Sequence, residues 1–295
     1  MDLKKYIATQ TDCKFYLAEA RQISTFRGGG EAWVVEPEST EKLIEIVHVL
    51  SDENIDFFML GKGSNALISD GICSSVLIST RALDGVKTDG NFAVCECGAP
   101  ISKVISEGRK RGLGGLEFLS GVPCSIGGAV KMNAGAFGAQ IGDYIHKMRV
   151  LNLDFAGKSK IVVQEVYAED LSFAYRCGAD GIVLDAELKL DEKSAEKSVS
   201  EAKRYISFRR KKQPSLPSLG SVFKNGSEAS GKLIENCALK GEKRGGARIS
   251  EKHANFIVNE GGASAEDYLY LVELCKKRVY ENAGVLLEEE FVLIK

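Results

Sequence analysis

Apolar residues at Leu43, Ile46, Val47 and Leu50 recur at the three-and-four spacing of an amphipathic helix, and Thr40 opens it. A second face of this kind, Tyr268, Leu271, Val272, Cys275 and Val279, predicts a helix from about Ser264 to Glu281, with Ser264 and Asp267 as a capping box. Helices are also expected near Ile101 to Arg111 and over "RYISFRRKKQP", where Pro214 forces the stop. Between them lie short β-branched or alternating runs that predict strands: "DFFML", "SSVLIST", "FAVCEC", "KMRVLNL" and the terminal "LLEEEFVLIK". Helices and strands mix without a repeat, which predicts an α+β architecture in three consecutive blocks, 1–80, 81–203 and 204–295.

Two glycine-rich stretches interrupt this pattern. In "LGKGSNALISDG" (60–71), Gly61, Gly63 and Ala66 fit the G-x-G-x-x-A fingerprint of a dinucleotide turn. A Rossmann turn needs a helix immediately afterwards to receive the pyrophosphate, and "LISDGICSSVLIST" reads as strand and turn. No G-x-x-x-x-G-K-[ST] occurs, so a P-loop is excluded. Consecutive backbone N–H groups, with Ser64 and Asn65 beside them, can still form an anion nest. Taken alone, a tight turn without a ligand explains the segment equally well. The second stretch, "LSGVPCSIGGAVKMNAGAFG" (119–138), carries one charged residue, Lys131. It suits backbone lying flat against a large, partly apolar ligand, or compact turns between short strands.

Composition narrows the class without naming a function. Hydrophobic residues make up 44% and charged residues 27%, typical of a globular protein. The 39 basic and 41 acidic residues nearly cancel, so no global field draws the chain to nucleic acid or an anionic membrane. "MDLKKYIATQ" has no apolar signal core and no run approaches a membrane span, which predicts a cytoplasmic protein. The eight cysteines are scattered and form no C-x-x-C pair, so reduced thiols and no metal site are expected. Arg209 to Lys212, with Tyr205 and Phe208 interleaved, could suggest nucleic acid. A solvated helix end, where positive charge complements the dipole, is the simpler reading.

Seven motifs in order carry a more specific signal: "STFRGGGEA", "LGKGSNALISD", "GLGGLEFLSGVPCSIGGAVKMNAGAFG", "FAYRCG", "PSLGSVFKN", "GKLIENCALKGEKRGGARISEKHANFIVN" and "LLEEEFV". Over roughly residues 20 to 292 the chain resembles the UDP-N-acetylenolpyruvoylglucosamine reductases (UDP-N-acetylmuramate dehydrogenases) of peptidoglycan precursor synthesis, in their shorter, type II form. The resemblance implies an FAD-binding fold of the vanillyl-alcohol-oxidase (PCMH) type. Residues 1–80 and 81–203 would be its two subdomains with FAD between them, and 204–295 a C-terminal α+β substrate domain. By resemblance Gly61, Lys62, Gly63, Ser64 and Asn65 wrap the FAD pyrophosphate, while Ser120, Gly121, Gly127, Gly128, Asn133, Gly135 and Ala136 line the rest of the cofactor. The histidines are His48, His146 and His253, none in a glycine loop, so noncovalent FAD is expected.

The family reaction takes reducing equivalents from NADPH through FAD to the enolpyruvyl double bond of UDP-N-acetylglucosamine enolpyruvate. The resemblance assigns Arg176 to the substrate carboxylate, Ser221 to proton donation, and Glu290 to the intermediate, as a neutral acid with a raised pKa. Glu288 and Glu290 would share one strand face and Glu289 the other, and the motif aligns Glu290 with the catalytic position. Tyr175, Lys212, Asn225 and His253 are implied in substrate binding. Three departures affect loop geometry: Cys124 for a usual glycine, Gly28 for an aliphatic residue, and Gly226 for a usual proline. The expected partners are the nucleotide-sugar substrate and NADPH, with no nucleic acid or membrane, on a monomer. The competing readings are an FAD oxidase of a small hydroxy acid or alcohol, and a non-catalytic nucleotide-sugar-binding relative.

Overall fold

The computed structural model describes residues 7, 9, 11–154 and 160–295. The chain divides into two compact units, each assembled from separate stretches. One comprises Met1–Tyr16, Val35–Lys62 and Leu77–Phe208; the other comprises Leu17–Val34, Gly63–Val76 and Arg209–Lys295. Neither is one of the consecutive blocks drawn from the sequence, because the chain passes between units inside the strands Lys14–Glu19, Glu31–Glu36 and Ile72–Ser79. Among the described residues no helix is long and apolar enough to cross a membrane.

The first unit is built on a five-stranded antiparallel sheet in the order Lys160–Tyr167, Ile145–Asp154, Ile182–Lys189, Phe92–Glu96, Val86–Asp89. Alternation along Ile145–Asp154 sends Met148 and Val150 into the core and Lys147 and Arg149 to the opposite face. There Lys147 pairs with Glu165 and Arg149 with Asp185 on neighbouring strands. The buried face meets the helices Ile101–Lys110, through Val104 and Ile105, and Ile126–Lys131, through Ile126, Ala129 and Val130. The helix Thr40–Asp52 buries Leu43, Ile46, Val47 and Leu50 as its spacing indicates, with Ser39 accepting from the Lys42 N–H at 3.2 Å. Each such apolar side chain contributes about 1.5–3 kcal/mol when fully buried.

The second unit has a three-stranded antiparallel sheet, Lys243–Arg244, Ala247–Ile249 and Ile257–Asn259, covered by the helix Ala265–Ala283. That helix buries Tyr268, Leu271, Val272, Cys275 and Val279, the face read from the sequence, and ends at Gly284 with φ +66°. Its core is completed by Phe26 and Leu67, from the two N-terminal stretches of the unit. The terminal strand is shorter than its sequence suggests. Only Val292–Ile294 forms a strand, running parallel to Ala66–Ile68, while the glutamate run before it takes a different partner. The helix ending in the basic run is Ala195–Lys212, stopping before Pro214 as expected.

Candidate active site

The first glycine loop links the strands Phe57–Leu60 and Ala66–Ile68, with no helix after it, so the Rossmann reading falls as the strand-like sequence indicated. None of the backbone N–H groups of Gly61 to Asn65 donates to an acceptor among the described residues, and neither does the Ser64 hydroxyl. Successive donors with no protein acceptor are suited to an anion. Its glycines also answer to packing within the protein. A Cβ on Gly61 would collide with Ser125 Oγ, and one on Gly63, at φ +65°, with the Ile23 carbonyl oxygen.

The second glycine loop is a platform whose own donors are spent. The helix Ile126–Lys131 begins at Ser125, and its first four N–H groups are the ones a phosphate would seek. Ile126 donates to Ala99 O at 2.9 Å, Gly127 to Cys97 O at 2.7 Å, Gly128 to Ser125 Oγ at 3.4 Å and Ala129 to Ser125 O at 2.8 Å. The start of this helix therefore offers no second anion nest. Gly135 and Ala136 pair with Gln140 and Ala139 around Phe137-Gly138, whose φ values of +56° and +83° make a type I′ hairpin. Just before the loop, Glu117 is pushed up by burial. Hydrogen bonds with Ser198, Lys193 and the Gly115 N–H outweigh that and hold it below the usual carboxylate range.

Asn133 ties this loop to the turn that carries Arg176. Its Nδ2 donates to Gln140 Oε1 at 2.9 Å and to Ala174 O at 3.0 Å, and its Oδ1 accepts from Gly142 N at 3.1 Å. The side chain predicted to line the cofactor thus also braces the protein. Ala174 and Cys177 exchange both backbone hydrogen bonds, at 2.9 and 3.1 Å, leaving Tyr175-Arg176 as the two-residue tip. Arg176 sits at φ +58°, a conformation that costs a non-glycine residue about 1 kcal/mol and is tolerated most often at functional positions. Its guanidinium lies over the exposed Tyr175 ring, 5.0 Å from the centroid.

In the second unit, two further predicted catalytic residues lie on paired backbone. Phe223 and Glu289 form an antiparallel bridge, flanked by Glu290 N–H to Val222 O and Lys224 N–H to Glu288 O, both at 2.8 Å. Glu290 therefore sits opposite Val222, the neighbour of Ser221. The three glutamates have separate circumstances: Glu288 pairs with Lys224, and Glu289 with Lys276 of the helix Ala265–Ala283. Asn65 Nδ2 donates to the Glu290 carbonyl at 2.9 Å. Asn225 accepts from the Ser230 N–H at 3.1 Å, where the helix Ser230–Asn236 begins. His253 Nδ1 accepts from Asn255 N–H at 3.3 Å; burial lowers its pKa, Lys240 adds to this, and Glu235 opposes. Lys212 is exposed in the last turn of its helix.

Of the predicted site residues, Gly61, Lys62, Ser120, Gly121, Gly127, Gly128, Asn133, Gly135, Ala136, Tyr175 and Arg176 belong to the first unit. Gly63, Ser64, Asn65, Lys212, Ser221, Asn225, His253 and Glu290 belong to the second.

Residues 212–294 match the family described as UDP-N-acetylenolpyruvoylglucosamine reductase, C-terminal domain, and residues 32–154 match an FAD binding domain. A UDP-N-acetylenolpyruvoylglucosamine reductase of Caldicellulosiruptor bescii is 41% identical over 93% of this chain and 88% of its own length. The chain belongs to the UDP-N-acetylenolpyruvoylglucosamine reductase family. A relative of the same name from Syntrophus aciditrophicus is 37% identical over 90% of this chain and 87% of its own. The crystal structure of the reductase from Thermus caldophilus superposes with a TM-score of 0.79 at 30% identity, covering 96% of this chain and all of that one.

As a member of this reductase family the protein is an FAD-dependent oxidoreductase, with an FAD-binding fold and a separate C-terminal domain, as the resemblance implied. The backbone donors of Gly61 to Asn65, which meet no acceptor among the described residues, fit an anionic group such as the pyrophosphate of FAD. Sequence reasoning missed three residues that hold the site together. Asn255, 2% exposed, clamps Val222 and Phe223 with one backbone and two side-chain hydrogen bonds of 2.8–2.9 Å. Thr25 donates its hydroxyl to Ser218 O at 2.7 Å. Asp70 caps the helix Ala265–Ala283, accepting from Ala265 N and Glu266 N at 2.8 and 2.9 Å. All three lie in the quoted motifs, but their partners are 32 to 196 residues away in sequence, beyond the reach of periodicity. An amide amid the apolar "ANFIVN" was the one available signal.

Proposed function

We propose that this reductase converts UDP-N-acetylglucosamine enolpyruvate to UDP-N-acetylmuramate, with NADPH as the source of electrons. The observation that carries this reading is the paired backbone of Val222–Lys224 and Glu288–Glu290, which places Glu290 opposite Val222, the neighbour of Ser221, in a chain with this ancestry. FAD, held noncovalently by the two glycine loops, supplies the hydride chemistry when bound.

The chain's own residues must then orient the substrate, hold developing charge and deliver one proton. Addition of hydride to one alkene carbon leaves an electron pair on the other, delocalised into the adjacent carboxylate. Arg176 pairs with that carboxylate, since a permanent cation with a rigid donor fork suits it in every charge state. Ser221 Oγ gives its proton to the carbon, and Glu290 stabilises the charge during transfer. Lys212, Asn225, His253 and Tyr175 contact the nucleotide sugar.

The test uses the purified protein. A flavin spectrum that bleaches anaerobically with NADPH but not with a hydroxy acid, and returns with UDP-N-acetylglucosamine enolpyruvate, is the expected result. A colourless protein that takes up no FAD, or anaerobic bleaching by a hydroxy acid with no reoxidation by the enolpyruvyl substrate, overturns the reading. In the same assay Glu290→Gln is expected to keep its FAD and lose turnover by about 10²-fold or more. Near-normal turnover in that variant removes Glu290 from the mechanism.

A further inference from the structure

Within the second unit the first glycine loop is hydrogen-bonded directly to the segment that carries Glu290 and, through Thr25, to the segment that leads to Ser221. The Glu290 peptide is held from two sides: its N–H donates to Val222 O at 2.8 Å, and its carbonyl accepts from Asn65 Nδ2 at 2.9 Å. The Asn65 carbonyl in turn accepts from the Val292 N–H at 2.8 Å, where the parallel pair Ala66–Ile68 and Val292–Ile294 begins. At the loop's other glycine, the Thr25 N–H donates to Gly63 O at 3.0 Å, and its hydroxyl reaches Ser218 O, three residues before Ser221. We propose that Asn65 is a positioning residue, which fixes the Glu290 peptide beside Ser221 by donating to its carbonyl.

This rests on the role given to Glu290 above and assigns Asn65 a task separate from binding the cofactor. An asparagine in a phosphate-binding loop would turn its amide toward the anion. Here the amide is turned to a backbone carbonyl in the run that carries the carboxyl group. Only the side chain makes that bond. Truncation therefore leaves the Asn65 carbonyl to Val292, and the strand pairing beside it, in place. What it releases is the peptide of residue 290, and a displacement of about 1 Å at a reacting group can cost 10²-fold in rate.

The FAD-loaded enzyme is followed through its two half-reactions, in Asn65→Ala and in the isosteric Asn65→Asp, which replaces the donor by an acceptor. Both are assayed at saturating FAD, so that any change in FAD affinity is kept apart from the rates of bleaching and of reoxidation. Reoxidation by the enolpyruvyl substrate is expected to slow by about 10- to 100-fold. The double variant Asn65→Ala/Glu290→Gln is expected to reoxidise no more slowly than Glu290→Gln, because two residues acting through one group do not add. Multiplying effects in the double variant overturn the proposal. So does weaker FAD binding with an unchanged reoxidation rate at saturating FAD, which makes Asn65 a cofactor ligand. Near-normal reoxidation in Glu290→Gln alone removes the mechanistic reading and this inference with it, and it is recognised by appearing without any change at Asn65.

Discussion

At Gly128 an added Cβ would meet nothing nearer than Ser125 Oγ at 3.5 Å, an ordinary contact, in a helix where φ asks for nothing special. Gly127, one residue earlier, has Cys97 Cβ at 3.0 Å from the same imagined atom, and Gly61 and Gly63 would collide outright. The glycines of the two loops therefore have different reasons. Gly63 is required by the fold, at positive φ against the Ile23 carbonyl, and Gly61 and Gly127 are closely packed, whereas protein packing leaves Gly128 without a reason. The proposed contact with FAD would supply it. Gly128→Ala is expected to stabilise its helix by up to about 0.5–1 kcal/mol while weakening FAD binding about tenfold or more. Thermal unfolding of the apoprotein and FAD titration would check both halves. A variant with wild-type FAD affinity would return Gly128 to an accident of sequence. Reading glycine content as a mark of ligand contact singled out the two loops but could not separate these cases. The distinction depends on which atoms, of backbone or side chain, lie within about 3 Å, and that is a tertiary fact.

Elements were legible wherever their stabilisation is local. The helices Thr40–Asp52 and Ala265–Ala283, with the predicted apolar faces buried and the Ser264–Asp267 capping box in place, follow from spacing and caps within a few residues. The run "LLEEEFVLIK" was read as one strand, and it divides instead: Glu288–Glu290 faces Val222–Lys224 antiparallel, and Val292–Ile294 joins Ala66–Ile68 in parallel. Both partners are remote in sequence, so no local pattern could choose between them. The same holds for the helix Ala265–Ala283, whose first turn depends on Asp70 as well as on its own cap. Two charge-assisted hydrogen bonds from one carboxylate to the first N–H groups also complement the helix dipole. Asp70→Ala is expected to cost about 1–2 kcal/mol, and Asp70→Asn less, because one amide oxygen can still accept. Denaturant melts of the two variants would show this; equal, negligible losses would mean that the Ser264 box caps the helix unaided.

For the molecule as a whole, stability should depend on pH through His253. Its Nδ1 accepts the Asn255 N–H, which requires an unprotonated nitrogen, and burial with Lys240 nearby lowers its pKa from 6.5. The unfolded chain then binds the proton first as pH falls. The contribution of His253 is complete above about pH 6.5 and is lost below it, down to the folded pKa. One proton sets a limit of about 1.4 kcal/mol per pH unit, and the partly exposed ring stays below that limit. Melting temperatures at pH 7.5 and 5.5 should therefore differ less in His253→Gln than in wild type, and an unchanged difference would exclude His253 as the cause. A second consequence concerns which part of the chain can stand alone. A C-terminal substrate domain cut from the sequence would begin near residue 204, yet the unit containing most of it also takes in Leu17–Val34 and Gly63–Val76. From those stretches come Phe26, packed edge-to-face on the buried Tyr268 at 4.9 Å, and Leu67, both fully buried in the unit's core. They also supply the cap Asp70 and the strand Ala66–Ile68, without which Val292–Ile294 has no partner in its two-stranded sheet. Loss of Phe26 and Leu67 alone would cost about 5–9 kcal/mol by the usual measure of large core truncations, comparable with the whole stability of a small domain. A fragment of residues 209–295 is therefore expected to be unfolded. Circular dichroism and amide exchange on that fragment decide the matter, and a cooperative melt would show that the first glycine loop is dispensable to the unit that it joins.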